Sequence, residues 1–93
     1  MNLNEQQLKE LEKLAGLFFS LQGIMIALDI PLHMEDEFTR IIRYDKNHPA
    51  FIAYQKGRIT SEVQLRESIK QAALNGSNPA QTSMIQFFND SKP

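Results

Sequence analysis

Apolar residues recur at spacings of three and four along most of the chain. Near the N-terminus this stripe comprises Leu8, Leu11, Leu14, Ala15 and Phe18. Such spacing places the apolar residues on one side of an α-helix, and no stretch has the strict alternation of a half-buried strand. The sequence therefore predicts an all-α fold of about five helices.

Two capping signals begin the first two helices. Asn4 is followed three residues later by Gln7, which is the spacing of a capping box. Ser20 can cap a second helix that starts at the next residue and runs to about Asp29. This helix ends before Pro31, because the residue preceding a proline is pushed out of the helical conformation.

The most apolar part of the chain, residues 14–28, is too short to cross a membrane. A spanning helix needs about 20 mostly apolar residues, and this run is interrupted by Gly16, Ser20, Gln22 and Gly23. The N-terminus also lacks the basic segment and cleavage site of a signal peptide. We therefore expect no membrane partner and a cytoplasmic location, which the absence of cysteine also favours.

A third helix is predicted from about Met34 to Tyr44. Its inner face comprises Phe38, Ile41 and Ile42. Together, the first three helices form a segment, residues 4–44, whose order is typical of a helix-turn-helix. The carboxylates in the first turn of the third helix, residues 35–37, suit the positive end of the helix dipole. Alternatively, they form a metal or acid–base site with His33.

A long helix is predicted from Pro49, which suits a first helical turn, to Leu74. The apolar positions that share its broad face are Phe51, Ile52, Ile59, Val63, Ile69, Ala72 and Ala73. Gly57 and the Thr60-Ser61 pair leave two interpretations open. We favour one continuous helix bent near Gly57 over a break at which Thr60-Ser61 caps a separate helix.

Asn75-Gly76 ends the long helix, since glycine adopts the left-handed conformation that commonly follows a helix. Asn78 is then expected to cap a last helix, with Pro79 at its first position. The apolar residues of this helix are Met84, Ile85, Phe87 and Phe88. Residues 49–88 thus form a long helix plus a C-terminal helix, and the 93 residues are expected to form a single domain, 1–93.

Catalytic motifs are absent from the sequence. The four glycines are scattered, so no phosphate-binding loop is present, and His33 and His48 lack the spacing that places two metal ligands on one helix face. We expect a protein that is not an enzyme, with no catalytic residue, no metal, no cofactor and no small-molecule substrate.

Charge is unevenly distributed although the net charge is only −1. Residues 1–38 are mainly acidic and residues 39–72 mainly basic. The candidate phosphate-binding residues are Arg40, Arg43, Lys46, Lys56 and Arg58. The alternative is structural, since cations at the end of a helix complement its dipole. Likewise, the spacing from Arg58 through Glu62 and Arg66 to Lys70 is typical of an ion-paired, solvated face.

Three segments resemble small phage-type helix-turn-helix proteins, and are similar to the small subunit of phage terminases, the DNA-packaging recognition factor. They are AYQKGR (53–58), EVQLR (62–66) and AALNGSNPAQ (72–81). The resemblance implies DNA binding by the helix-turn-helix and self-association through the remaining helices. That motif inserts the first turn of its third helix into the major groove. Carboxylates occupy this turn here and repel phosphates, although a carboxylate can accept a hydrogen bond from cytosine N4. We therefore expect phosphate contacts by the candidate cations in place of direct base reading.

Two functions follow from these observations. The first is a non-enzymatic nucleic-acid-binding factor of phage type, whose expected partner is double-stranded DNA and which is expected to be oligomeric. The second is a helical protein–protein interaction module without autonomous DNA binding, docking through the Ile26 side of the second helix or through Phe87-Phe88. A basic surface favours the first function, and an exposed apolar patch favours the second.

Overall fold

A computed structural model describes residues 1–92, which form five α-helices and one short 3₁₀ turn. The helices are α1 (Glu5–Gly16), α2 (Leu21–Ala27), α3 (Glu35–Tyr44), α4 (Pro49–Leu74) and α5 (Asn78–Asp90), and the 3₁₀ turn is Leu32–Met34. No strand occurs among these residues. The prediction of an all-α fold with about five helices is therefore confirmed.

The chain divides into two compact units within α4. The N-terminal unit comprises residues 1–61, and the C-terminal unit begins at Glu62. The N-terminal unit holds nearly all of the buried apolar side chains: Leu11, Leu14, Ile24, Met25, Leu28, Ile30, Phe38, Ile41, Ile42 and Ala50. The three residues predicted to line the inner face of α3 are all among them, and Phe38 is the largest fully buried side chain.

Both predicted N-terminal caps are present. The Gln7 backbone N–H donates to Asn4 Oδ1 (2.7 Å), and the Asn4 N–H donates to Gln7 Oε1 (3.0 Å), which completes the capping box. The Gly23 N–H donates to Ser20 Oγ at 3.1 Å. These local hydrogen bonds start α1 and α2 where the sequence predicts them.

Helices α1 and α2 both end in a Schellman motif that has no glycine. Phe18 (φ 62°) and Asp29 (φ 58°) occupy the left-handed position. After α1, the Phe18 N–H donates to the Ala15 carbonyl and the Phe19 N–H to the Leu14 carbonyl. The prediction that Phe18 extends the inner stripe of α1 is wrong, because the helix has ended and half of Phe18 is exposed. Asp29 likewise lies beyond α2, which is shorter than predicted.

Helix α4 is continuous across Gly57 to Ser61, as favoured from the sequence. Gly57 is buried where α4 crosses α1, and a Cβ at this position would overlap the carbonyl oxygen of Glu12. Gly16 faces the same crossing, because a Cβ there would lie 3.0 Å from the Gly57 carbonyl oxygen. The glycine that weakens α4 as an isolated helix thus permits two helix backbones to touch.

His48 joins the start of α4 to the N-terminal segment. Its Nδ1 accepts from the Ala50 backbone N–H (3.0 Å), and its Nε2 lies 2.9 Å from the Met1 carbonyl oxygen. Both contacts are satisfied by the neutral tautomer that carries its proton on Nε2. Its place is thus structural, at the first turn of α4.

The C-terminal unit contains the end of α4 and all of α5. Gly76 (φ 97°) ends α4 as predicted, and the Ser77 N–H donates to the Ala72 carbonyl. The cap of α5 is Ser77, whose Oγ accepts from the Ala80 N–H; the prediction of Asn78 is wrong by one residue. The Gln81 side chain then donates to the Ala73 carbonyl at 3.1 Å.

Part of the predicted apolar face of α4 is open to solvent. Ile52, Ile59 and Val63 are each about half exposed, and Ala50 and Gly57 are the buried residues of this helix. In the C-terminal unit, the buried hydrophobic residue is Ala80, and its large exposed apolar residues are Val63, Leu65, Leu74, Ile85 and Phe88. The other four positions of the predicted α4 face, Phe51, Ile69, Ala72 and Ala73, are partly buried, so the periodic face is present but only partly covered.

Replacing Gly57 by alanine is expected to destabilise the protein. In an ordinary helix interior this change stabilises by about 1 kcal/mol. Here the new methyl group meets the Glu12 backbone, and overpacking of this kind costs about 1–3 kcal/mol. Urea denaturation should show the loss, whereas Gln55→Ala on the exposed side of α4 should change stability by less than about 0.5 kcal/mol. A stabilised Gly57→Ala variant would contradict the close crossing.

Candidate nucleic-acid interface

Three of the five predicted phosphate-binding residues lie at the C-terminal end of α3. Arg40 and Arg43 are separated by one helical turn, and Lys46 follows in the loop before α4; all three are exposed. Burial of Phe38, Ile41 and Ile42 fixes the opposite side of α3 in the core. Within residues 1–92, no carboxylate lies within 4.0 Å of the charged groups of these cations. They remain available to an anion from outside.

The N-terminal end of α3 carries the opposite charge. Glu35 and Asp36 are exposed, while Glu37 accepts from the amino group of Met1 at 3.2 Å. Acidic residues in the first turn and basic residues in the last turn both complement the helix dipole. The same arrangement makes the two ends of α3 electrostatically different, with negative side chains in the first turn and positive side chains at the C-terminal end.

Lys56 and Arg58 are placed differently from the α3 cations. Lys56 is exposed on α4. The Arg58 guanidinium lies over the rings of Phe18 (5.2 Å) and Tyr54 (5.7 Å), and the residue is partly buried. Arginine is attracted to the faces of aromatic rings in this way. Arg58 thus links α4 to the corner that follows α1, a role that its sequence position does not reveal.

One pair of the predicted ion-paired ladder on α4 is formed. Both Nε and Nη2 of Arg66 donate to Glu62 Oε1, at 3.1 and 2.9 Å. The same guanidinium lies 3.9 Å from the centroid of the Phe87 ring on α5. Arg66 therefore contacts Glu62 and Phe87 within the C-terminal unit, in agreement with the ion-paired face predicted for α4.

An open groove lies beside the basic end of α3. Its volume is about 560 Å³, and it is lined by Met1, Glu37, Arg40, Ile41, Tyr44, Asp45 and His48. Arg40 is the predicted site residue that reaches this groove. Tyr44 was missed as a site residue, although its position four residues after Arg40 places both on one side of the helix. The groove combines a cation, an exposed aromatic ring and two carboxylates, of which Glu37 accepts from the Met1 amino group.

The alternative metal site would combine His33 with the carboxylates of residues 35–37. The described part of the chain contains no group of three or more histidine, cysteine, aspartate or glutamate residues positioned to hold a metal ion. Glu37 instead contacts the Met1 amino group. In residues 1–92, no helix has the length and apolar character needed to cross a membrane.

Comparison of the chain with known protein families, curated proteins and solved structures finds no match.

Substitution of Arg58 tests its structural placement. Arg58→Ala is expected to lower stability by about 1 kcal/mol through loss of the contacts with two rings, or roughly 4–8 °C in melting temperature. Lys56→Ala should leave the melting temperature nearly unchanged, because Lys56 is exposed. If Arg58→Ala weakened DNA binding while leaving thermal stability intact, Arg58 would be a phosphate ligand instead of a structural link.

Proposed function

We propose that this chain is a non-enzymatic nucleic-acid-binding factor that contacts phosphates through the C-terminal end of α3. The observation that carries the proposal is the group of Arg40, Arg43 and Lys46, which are exposed and unpaired among the described residues. Other arginines of the chain are engaged with aromatic rings. Cations that are held in place by a packed helix and lack a carboxylate partner suit an external polyanion.

Phosphate contact and base reading differ in what they require of α3. Phosphate contacts need positive charge along an exposed edge, whereas base reading by a helix-turn-helix needs the first turn of the helix inside the major groove. The carboxylates of Glu35 and Asp36 favour the first mode. The resemblance of residues 53–81 to phage terminase small subunits supports the same function, in a cytoplasmic protein of phage type.

Self-association through the C-terminal unit belongs to the same proposal. A pair of helices whose buried hydrophobic residue is Ala80 has little core of its own, and Ile85 and Phe88 are mostly exposed. The charged residues from Glu62 to Lys92 balance in sign: Glu62, Glu67 and Asp90 against Arg66, Lys70 and Lys92. Because two copies of a neutral unit do not repel, the exposed apolar residues favour contact between copies.

A second candidate function rests on the same apolar residues. If these residues bind a different protein, the chain is a helical interaction module. The cations of α3 then only stabilise the negative end of the helix dipole. Exposed large apolar residues mark protein contacts in many soluble proteins. The two functions differ in whether the isolated protein binds DNA.

Binding to a labelled duplex at two salt concentrations tests the nucleic-acid function. Three phosphate contacts predict a slope of about −2.7 in the plot of log affinity against log salt. Arg40→Glu with Arg43→Glu should abolish measurable binding, while Glu35→Gln with Asp36→Asn should strengthen it by removing repulsion. Lys70→Glu, in the C-terminal unit, is the control and should bind normally. Absence of binding by the wild-type protein at ~50 mM salt would reject this function.

Sedimentation velocity tests the proposed self-association. The wild-type protein is expected to sediment as an oligomer, and Ile85→Ser with Phe88→Ser should shift it toward the monomer. Gln86→Ala, on the same helix, should leave the distribution unchanged. A wild-type protein that stays monomeric at its highest soluble concentration would favour a different protein as the partner of these residues.

A further inference from the structure

Tyr44 is the most exposed of the large hydrophobic residues, with 73% of its surface accessible. It is the last residue of α3 and lines the groove described above. Because the Tyr44 ring is exposed to solvent, it contributes little apolar burial to the core, and it lies on the same helix as the unpaired Arg40 and Arg43. Its position instead suits a ligand that has both a flat apolar face and negative charge.

The groove arranges three different chemical groups around one volume. Arg40 and Tyr44 are neighbours at i and i+4, and the buried Ile41, which is 8% exposed, adds an apolar group to the lining. Asp45 supplies a carboxylate that has no ion-pair partner among residues 1–92. A volume of about 560 Å³ lies within the roughly 300–1,000 Å³ of typical small-ligand sites.

We propose that this groove holds one unpaired base of a single-stranded nucleic acid, stacked on Tyr44. A duplex hides the faces of its bases inside the stack, whereas an unpaired base exposes a face that an aromatic side chain can cover. Arg40 and Arg43 then contact the phosphates that flank this base. The inference rests on the proposed function, because these two arginines serve both.

The carboxylate of Asp45 adds a base preference. A carboxylate accepts a hydrogen bond from an exocyclic amino group such as N4 of cytosine. Thymine has no such group, so a strand of cytidines is expected to bind more tightly than a strand of thymidines. Asp45→Asn should reduce this difference, because the neutral amide accepts a weaker hydrogen bond.

Affinities for a short oligodeoxycytidine and for a duplex, measured at one salt concentration, test the stacking. Tyr44→Ala should weaken single-strand binding roughly 5- to 150-fold, the range of one stacked base, and leave duplex binding unchanged. Tyr44→Phe keeps the aromatic ring and should retain the single-strand affinity. Tyr44→Leu is apolar but has no aromatic ring, so it should lose this affinity. Equal effects of Tyr44→Ala on both nucleic acids would overturn the proposal, as would no effect on either.

Tyrosine fluorescence provides a direct readout of the contact. The chain has two tyrosines and no tryptophan, so the Tyr54→Phe variant reports on Tyr44 alone. Saturating oligodeoxycytidine should quench this emission. Salt-dependent binding without quenching would contradict the stacked base and leave the phosphate contacts standing. Failure of every nucleic acid to bind at low salt would overturn both proposals. The two outcomes therefore distinguish failure of the stacked base from failure of the proposed function.

Discussion

The close crossing of α1 and α4 at Gly57 is the contact on which the N-terminal unit depends. The absence of a side chain at Gly57 lets α4 touch the backbone of α1 at Glu12. Arg58, the next residue, secures the same crossing by stacking over Phe18. The start of α4 is tied separately, since His48 caps its first turn. These contacts hold α4 against the core that positions α3.

The contacts of each cation within the chain determine whether its charge is available to an external anion. Arg58 and Arg66 lie over aromatic rings, and Arg66 also pairs with Glu62, so their charges are used within the chain. Arg40 and Arg43 stand on the solvent side of a helix whose other side is buried. The proposed phosphate contacts follow from this division, because net charge alone, at −1, does not attract a polyanion.

Features that depend on residues close in the sequence were predictable from the sequence, whereas contacts between distant segments were not. The capping box at Asn4 and the cap at Ser20 each depend on residues three apart, so spacing reveals them. The left-handed Phe18 went unrecognised because glycine is the usual residue there. From the sequence, Gly57 could be interpreted only as a weak point of α4. Its role depends on contact with the backbone of Glu12, which is distant in the sequence. Periodicity identified the apolar face of α4, but it did not show that Ile52, Ile59 and Val63 on this face are about half exposed.

The candidate site divides in the same way. The sequence predicted the basic end of α3, because charge and helical spacing are both visible in it. It did not predict the groove or Tyr44, which require the loop after α3 to bring His48 and Asp45 beside the helix. The separation of Arg58 from the other cations likewise depends on the ring of Phe18, forty residues away in the sequence.

Mapping backbone amide resonances during titration with duplex DNA tests the central claim most directly. If the basic end of α3 contacts phosphates, the largest shifts should fall on residues 40–46, with small changes at the acidic turn of residues 35–37. The shifts should also disappear as salt is raised, because phosphate contacts are screened. Largest shifts at residues 35–37, or none at low salt, would contradict the account.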